Sequence, residues 1–572
     1  KGRPDPRFAD AVDYCFAQLK KNGIYLNLNI AAYQLLYPYP KEIPQDHKTK
    51  FMFGDKETRR EWLNTARYLL CHVNPHTGLA LKDDPMLICV EPYNELEHGY
   101  MKNKWRKKET STWILRKFRE YLLHRNGKAG ETRIPRTALE LESGEMRQEW
   151  LEFCIESQRE AGAWMNARLQ ELGCKSFVGQ YNLNGIRYYN DIRSEQSDIV
   201  FRNTYFCHPS KISRLGAITR QRSAIESFVS YFTDVASCRL SDRPLIITEY
   251  NHARNRYEYE QLLFPAYAAL QGFSGLTMHE VDMRPEWRAY DDFSTYLDRM
   301  TDYLSFFLFQ KGYVKPSPNL VELVIPKSSL YGSDTDNAIN TEQARWSLFT
   351  RFAVRYENTG RPAMVAAFAP PEPLLRMPLI GYSEVMSAAQ FSETGAIQGE
   401  KFDPAPLIAA LRKKGVIPQG NRTDPAKGIW ESDTGELLLN GPRKRFLLKA
   451  PRVEATSFEA NHDIPLPVLN RVRSSVPSTV ALVSLDGKEL AKDSKRMLLF
   501  YLTDNVNTGM ELSPDRSILR RPGKAPTLLR TGQLELQLNL PAGKRYLLYP
   551  LRSDGLRREG IPLTKNGSGY RL

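Results

Sequence analysis

The chain has 572 residues, with 80 Lys and Arg against 66 Asp and Glu, which gives a formal net charge of +14 at pH 7. Apolar residues make up 41% and charged residues 26%, a globular composition that excludes collagen-like, coiled-coil and largely disordered chains. We find no run of about 18 apolar residues and no basic-then-apolar N-terminal segment, so the sequence predicts neither a membrane span nor a signal peptide. The length predicts about two to four domains.

The positive charge is concentrated in the last third, where residues 401–572 hold 29 basic and 17 acidic residues. Short clusters such as Arg443–Arg445 have neither aromatic interleaving nor a glycine-rich phosphate loop. We interpret the excess as a solvated basic surface suited to anionic polymers, and we predict no nucleic-acid partner. The seven cysteines form no zinc spacing, so we expect reduced thiols, no metal site and no cofactor.

Up to about residue 300, short β-rich apolar runs alternate with longer amphipathic segments, a pattern typical of repeated βα units around a parallel sheet. The predicted strands are residues 23–30, 86–93, 175–182, 198–206, 244–251 and 272–280. The predicted helices are residues 8–22, 58–73, 148–173 and 259–273, which have apolar residues at helical spacing.

Further along the chain the pattern changes. Residues 341–360 and 406–417 show helical spacing, and from Gly428 the apolar period becomes two, punctuated by Gly, Pro, Asn and Asp. We therefore predict an α/β barrel region at 1–310, a connecting α/β region at 311–427 and an antiparallel β-sandwich at 428–572.

Two carboxylates come directly after strands that are apolar enough to be buried. Asn94 and Glu95 follow the strand LICVE, and Glu249 ends the strand PLIITEYN. Charged groups at such positions are costly to desolvate unless they are paired or take part in chemistry. Two facing carboxylates are the minimum for cleaving a glycosidic bond, one as the acid and one as the nucleophile. Burial and mutual repulsion would separate their pKa values, which favours Glu95 as the acid.

These motifs resemble a known family. The Asn-Glu pair after one strand and Thr-Glu-Tyr after a later strand are similar to the fourth- and seventh-strand motifs of glycoside hydrolase clan A, the retaining (β/α)8 TIM-barrel enzymes that include families 5 and 42. The segment 74–95, with Asn-Pro-His-Thr-Gly and Asp-Pro before the strand, resembles multidomain bacterial members of this clan. So does the passage from 307–314 to 428–440, where the chain leaves the barrel and enters the sandwich.

The resemblance implies roles for individual residues. Glu95 would be the general acid/base, Glu249 the nucleophile, and Asn94 the ligand of the sugar 2-hydroxyl. Tyr205 lies where clan members place an aromatic group that hydrogen-bonds the nucleophile, and His208 is a looser match. The remaining substrate-binding candidates at strand ends and nearby loops are Asn182, His279 and Trp287.

The N-terminus departs from the clan pattern. Residues 10–30 resemble the helix before strand three and strand three itself, so strands one and two, with the arginine that usually flanks the nucleophile, are absent from this sequence. Six strands are recognised where eight close a barrel. We therefore expect a truncated chain with an exposed sheet edge and poor activity.

Several residues have competing interpretations. Glu91 competes with Glu95 for the acid role, but a carboxylate inside a strand is more typically a partner of an arginine or lysine. His279-Glu280 either lines the pocket, or Glu280 simply pairs with Arg284 or Arg288. Trp287 is either a sugar-stacking platform or a loop anchor. His72, His76 and His98 fit no metal-binding pattern, so surface or capping roles are favoured.

The leading hypothesis is a retaining glycoside hydrolase that acts on a β-galactoside, β-mannoside or β-glucan by double displacement with two glutamates. The alternatives are a transglycosylase with the same residues and a degenerate barrel that binds carbohydrate without cleaving it. An ester hydrolase is disfavoured because no GxSxG motif occurs. The family resemblance implies an oligo- or polysaccharide partner and a secreted or periplasmic location.

Overall fold

The computed structural model describes most of the chain, and the statements below refer to the described residues. These are 6–31, 45–97, 108–126, 137–138, 140–142, 145–183, 187–208, 215–252, 255–279, 295–330, 339, 341–356, 371–379, 397–398, 401–402, 404–541, 544–552, 554–566 and 569–571.

Six parallel strands occupy the described part of the first 280 residues, and each overlaps one of the predicted strands. They form two three-stranded sheets, ordered β1-β2-β3 and β4-β5-β6. Two backbone hydrogen bonds continue from one sheet to the next, because Asp198 donates to the Val178 carbonyl (2.8 Å) and Asn203 to the Asn182 carbonyl (2.5 Å). The strands are β1 Leu26–Asn29, β2 Leu87–Glu91, β3 Phe177–Val178, β4 Val200–Phe206, β5 Leu245–His252 and β6 Gly275–Met278.

Helices connect these strands, as βα units require. Helix α3 illustrates why a helix begins where it does and which face it buries. Asp55 caps its first turn by accepting a hydrogen bond from the Thr58 amide (3.0 Å), and Trp62, Ala66 and Leu70 on one face are buried. The helices are α1 Pro6–Lys21, α2 Gln45–Met52, α3 Lys56–Cys71, α4 Lys108–Asn126, α5 Arg147–Glu171, α6 Arg187–Gln196, α7 Ser230–Ala236, α8 Leu263–Gln271, α9 Tyr296–Ser305, α10 Thr341–Ala344 and α11 Ala405–Lys413. Within the described ranges, none of them is long and apolar enough to cross a bilayer.

The middle region contains a third parallel sheet, ordered β8-β7-β9, from strands β7 Leu320–Ile325, β8 Arg351–Tyr356 and β9 Leu375–Pro378. The prediction of a helix over 341–360 is therefore wrong at residues 351–356, and residues 357–360 lie outside the described part of the chain. Phe352 and Val354 are buried, and the backbone of this segment pairs in parallel with β7 along its whole length. Sheet pairing and burial override the helical spacing of the apolar residues there. The helix predicted over 406–417 is confirmed up to Lys413, where α11 ends.

After Gly428 the strands are antiparallel, as predicted. One sheet has the order β12-β13-β14-β15-β17-β18 and another β16-β23-β27-β26, with short two-stranded sheets beside them. Leu438 and Leu482 of the first sheet and Leu536 of the second share one apolar cluster. Two short strands precede Gly428, β10 Ile397–Gln398 and β11 Lys401–Phe402. The strands after Gly428 are β12 Ile429–Glu431, β13 Leu437–Asn440, β14 Arg445–Ala450, β15 Val453–Phe458, β16 Leu469–Ser474, β17 Ser478–Ser484, β18 Met497–Leu502, β19 Asn505–Thr508, β20 Glu511–Leu512, β21 Leu519–Arg521, β22 Lys524–Leu529, β23 Leu534–Leu538, β24 Leu547–Leu548, β25 Ile561–Pro562, β26 Thr564–Asn566 and β27 Gly569–Arg571.

The six-stranded antiparallel sheet packs directly on the segment that follows β5. Thr479 Oγ1 of β17 donates to the Tyr259 carbonyl, and the Phe446 ring of β14 lies 5.9 Å from the Tyr267 ring. Asn505 Nδ2, on the next strand along the chain, donates to Glu258 Oε2 (2.7 Å). One apolar core runs from the parallel strands through α8 into this sheet. The antiparallel region therefore supports the helical segment that leads away from Glu249.

Candidate active site

The two predicted glutamates lie at the carboxyl ends of parallel strands. Glu249 is on β5, where it pairs in register with Asn203 of β4, and Glu95 follows β2. The two side chains share a neighbour, because Asn203 Nδ2 donates to Glu95 Oε1 (3.3 Å) while its backbone lies beside Glu249. The carboxyl ends of parallel strands are where α/β folds place reactive groups.

The loop after β2 holds Glu95 in an uncommon backbone conformation. Its φ is +51°, in the left-handed region that a residue with a Cβ adopts only when its surroundings enforce it. Asn182, which is fully buried, provides that enforcement. Its Oδ1 accepts from the Glu95 amide (2.9 Å) and its Nδ2 donates to Asn94 Oδ1 (2.8 Å). The sequence candidates Asn94, Glu95 and Asn182 thus form one hydrogen-bonded unit.

The environment of Glu95 favours its neutral form. Burial, and next the negative charge of Glu249, raise the pKa of Glu95 to about 7, against the opposing effect of Lys48. A carboxyl group with this pKa is partly protonated at neutral pH, so it can both give up and accept a proton. This is the property that the acid/base role requires.

Tyr205 contacts Glu249 and packs against two histidines. The Tyr205 hydroxyl donates a hydrogen bond to Glu249 Oε2. The rings of His208 and His279 meet the Tyr205 ring edge to face, with centroids 5.2 and 5.8 Å away. The structure therefore brings Tyr205, His208 and His279 to the same strand ends as Glu249, whereas Trp287 lies outside the described residues.

Asn203 is a site residue that the sequence reasoning missed. Its side chain is buried, donates to Glu95, and accepts from Thr248 Oγ1 (2.6 Å). The available signal was its position, since it is a polar residue inside a buried strand, two residues before Tyr205. In the pairing of β4 with β5, Thr248 has no register partner between Ile247 and Glu249, and such an irregularity is not visible in the sequence.

Glu91 has an asparagine as its hydrogen-bonding partner, whereas the sequence predicted an arginine or lysine. It is buried in β2, opposite Asn29 of β1, and its hydrogen-bonding partner is the Asn29 side chain. Burial is the main cause that raises the pKa of Glu91 well above its usual value, and the charge of Glu249 adds to it. A neutral carboxyl group needs no cation, which explains why an amide serves as its partner.

A buried ion pair ties the site loops together. Glu97 and Arg193 have fully buried side chains, and Arg193 Nη2 lies 3.4 Å from Glu97 Oε1. The same oxygen accepts from the Leu183 amide (2.5 Å), and Arg193 Nε donates to the Tyr181 carbonyl (2.5 Å). The pair therefore joins the loop that carries Glu95 to the one that carries Asn182.

We expect Arg193→Met to destabilise the protein by about 3–5 kcal/mol, because it leaves the Glu97 charge buried without its cation. Chemical denaturation measures the change. Arg60→Met is the matched control, since the Arg60–Glu57 pair is exposed and should contribute less than about 1 kcal/mol. Equal losses in the two variants would contradict the importance of the buried pair.

The histidines set aside as surface groups have acidic partners. His72 Nε2 lies 2.8 Å from Asp13 and His76 Nε2 lies 2.9 Å from Asp10, whereas His98 is outside the described residues. Among the residues that the structure describes, no group of three or more His, Cys, Asp or Glu side chains is placed to hold a metal ion.

No protein-family model and no curated protein matches the chain. Among solved structures, an endo-β-1,4-mannanase from Thermotoga petrophila is similar at 13% identity and a TM-score of 0.34, over 56% of this chain and 68% of that chain. A β-galactosidase from Rahnella sp. R3 is similar at 11% identity and a TM-score of 0.40, over 61% of this chain and 57% of that one.

A β-galactosidase from Halorubrum lacusprofundi is similar at 14% identity and a TM-score of 0.36, over 62% of this chain and 56% of that one. The chain thus spans little more than half of the two β-galactosidase chains. All three proteins are glycosidases, the class of enzyme that the sequence motifs resemble. Because these TM-scores lie below 0.5, the roles proposed below rest on the contacts of the site residues.

Proposed function

We propose that this protein is a retaining glycoside hydrolase in which Glu95 is the general acid/base and Glu249 the nucleophile. The observation that carries the proposal is the pair of unlike carboxyl groups around Asn203. Glu95 has a pKa raised to about 7 by burial and by Glu249, and Glu249 accepts a hydrogen bond from Tyr205. One group suited to donate a proton beside one suited to attack is the arrangement that double displacement requires.

In the first step, a Glu249 carboxylate oxygen forms a bond to the anomeric carbon while the bond to the leaving oxygen breaks. The proton of Glu95 moves to that oxygen, so the leaving group departs as a neutral alcohol. The Tyr205 hydroxyl orients Glu249 for the attack. Asn94 is proposed as the ligand of the sugar 2-hydroxyl, a contact that strengthens in the transition state.

In the second step, the ionised Glu95 takes a proton from water, and the water oxygen attacks the anomeric carbon. The ester bond to Glu249 breaks and both glutamates return to their starting states. Two inversions leave the anomeric configuration unchanged. A pKa near 7 suits a group that must be an acid in one step and a base in the next.

The proposal extends to the surroundings of the site. The parallel strands β1 to β6 support a (β/α) barrel over 1–310, followed by the α/β region at 311–427 and a β-sandwich at 428–572. The substrate class that the sequence motifs favour is a β-galactoside, β-mannoside or β-glucan, taken from an oligo- or polysaccharide outside the cytoplasm. His208 and His279 beside Tyr205, with Asn182 behind Asn94, are the proposed lining of the sugar site.

Activity on a panel of aryl β-glycosides and on unmodified β-linked oligosaccharides tests this function. We expect the sugar to be released with retained configuration, which proton NMR of the anomeric signals detects. We also expect activity to fall as the pH rises through about 7, where Glu95 gives up its proton. Oligosaccharide binding without release would instead support a carbohydrate-binding barrel. Transfer of the sugar to an added alcohol in preference to water would support a transglycosylase.

A further inference from the structure

A lysine outside the predicted site residues contacts the backbone that carries Glu95. Lys48 lies on α2, its side chain is only 6% exposed, and its Nζ donates to the Asn94 carbonyl (2.9 Å). Burial of an ammonium group costs free energy unless hydrogen bonds or nearby negative charges compensate for its lost hydration. His47, next to Lys48, anchors the same helix. Its Nδ1 lies 3.3 Å from the Tyr93 hydroxyl and its Nε2 lies 2.9 Å from Glu61 Oε2.

The contact of Lys48 completes a clamp on a single peptide unit. The Asn94 carbonyl accepts from Lys48, and the amide on the other side of the same peptide bond, that of Glu95, donates to Asn182. The plane of the Asn94–Glu95 peptide is thereby fixed at both of its polar groups. This is the peptide that leads into the left-handed conformation of Glu95, where restraint is needed most.

Charge is the second effect of Lys48. Beside the hydrogen bond from Asn203, the charged groups that act on the Glu95 carboxyl include Glu249 on β5, Glu91 on β2, Glu97 on the same loop and Lys48 on α2. Three of these four are carboxyl groups, and the lysine is the cation among them. Removing it takes away the positive charge that opposes Glu249 and Glu97 at the Glu95 carboxyl.

We propose that Lys48 is a positioning residue for the acid/base: it fixes the Asn94–Glu95 peptide through the Asn94 carbonyl and supplies the positive charge that lets Glu95 ionise in the second half of the reaction. This proposal rests on the proposed function in assigning Glu95 its role, but its electrostatic part holds for the carboxyl group whatever the reaction.

Three substitutions separate the two effects. Lys48→Met removes both the hydrogen bond and the charge, Lys48→Gln keeps a donor without the charge, and Lys48→Arg keeps both. We expect Lys48→Met to lower kcat about 10- to 100-fold through misplacement of Glu95. We also expect it to move the alkaline limb of the pH profile upward by roughly one pH unit, because an opposing positive charge is lost. Lys48→Gln should show the pH shift with a smaller loss of kcat, and Lys48→Arg should restore both.

Lys50→Met is the control, since Lys50 lies on the same helix two residues away. It should leave kcat and the pH profile unchanged. The titration of the Glu95 carboxyl is also followed by 13C NMR, assigned by comparison with Glu95→Gln, which requires no turnover. An unchanged Glu95 titration in Lys48→Met would overturn the proposal even if the enzyme is active. An inactive wild-type protein whose Glu95 titration still shifts in Lys48→Met would refute the glycosidase function and leave the electrostatic role of Lys48 in place.

Discussion

Replacing Glu249 by glutamine is expected to reduce kcat at least about a thousandfold for every substrate, whatever its leaving group. The amide of glutamine is nearly the same size as the carboxylate, so the hydrogen bond from Tyr205 has an acceptor left, yet the amide cannot form the glycosyl ester. The loss should therefore appear in kcat rather than in substrate binding. Steady-state kinetics on activated and unactivated β-glycosides measure it.

Two further variants sharpen this prediction. Glu226→Gln is the matched control, because Glu226 is a partly exposed carboxylate that pairs with Lys444 (3.3 Å), and it should keep full activity. Glu249→Ala opens space for a small anion, so added azide should restore turnover and give a glycosyl azide of inverted configuration. An azide product of retained configuration, or none at all with activity intact, would refute Glu249 as the nucleophile.

Replacing Glu95 by glutamine is expected to have an effect that depends on the leaving group. Substrates with poor leaving groups need the proton of Glu95, so their kcat/KM should fall about 10²- to 10⁴-fold. Dinitrophenyl glycosides depart without a proton, so their first step should be nearly unaffected while the water-dependent second step slows. A rapid burst of phenol followed by slow turnover, recorded by stopped flow, is the expected signature.

The pH dependence of Glu95→Gln provides a second readout. In the wild-type protein the acid form of Glu95 exists below a pKa of about 7 and is lost as the pH rises through that value, so the alkaline limb of kcat/KM should lie near pH 7. This limb should vanish in the variant. At pH 8 the variant should also be more stable than the wild type, because it lacks a buried negative charge beside Glu249.

Glu91→Gln is the control that separates the two candidate acids. Because burial raises the pKa of Glu91 well above its usual value, its neutral form is favoured, and glutamine resembles that form. We expect little change in activity and an unchanged alkaline limb. A leaving-group-dependent loss in Glu91→Gln, with Glu95→Gln unaffected, would transfer the acid role to Glu91.

The positions of Glu95 and Glu249 could be predicted because each follows a strand whose apolar residues already indicate burial in a parallel sheet. The carboxyl ends of parallel strands lie along one edge of the sheet, so polar groups at these strand ends are brought together there. The six strands were recognisable for the same reason, as their β-rich runs are short and are separated by helical spacing. Local pattern and tertiary position agree in these elements.

Lys48 and Asn203 could not be predicted because their roles depend on contacts that no local pattern encodes. Lys48 reaches a carbonyl 46 positions further along the chain, and its helix, QDHKTKFM, has no distinctive pattern. Asn203 lies 108 positions from Glu95 along the chain, and no local pattern encodes their contact or the register irregularity at Thr248 of β5. The failed helix at 351–356 has a similar origin, since pairing with β7, about thirty residues earlier, decides its conformation.

The core shared by the parallel strands and the antiparallel sheet bears on how the molecule loses its structure. Tyr267 of α8 and Phe446 of β14 belong to one apolar cluster, and Asn505 holds Glu258 directly after the strand that carries Glu249. The antiparallel region is therefore not an independent unit, because it shares its apolar core with the parallel strands. Melting it would uncover the helix behind β5, so thermal inactivation and loss of the β-rich structure should proceed as a single cooperative event.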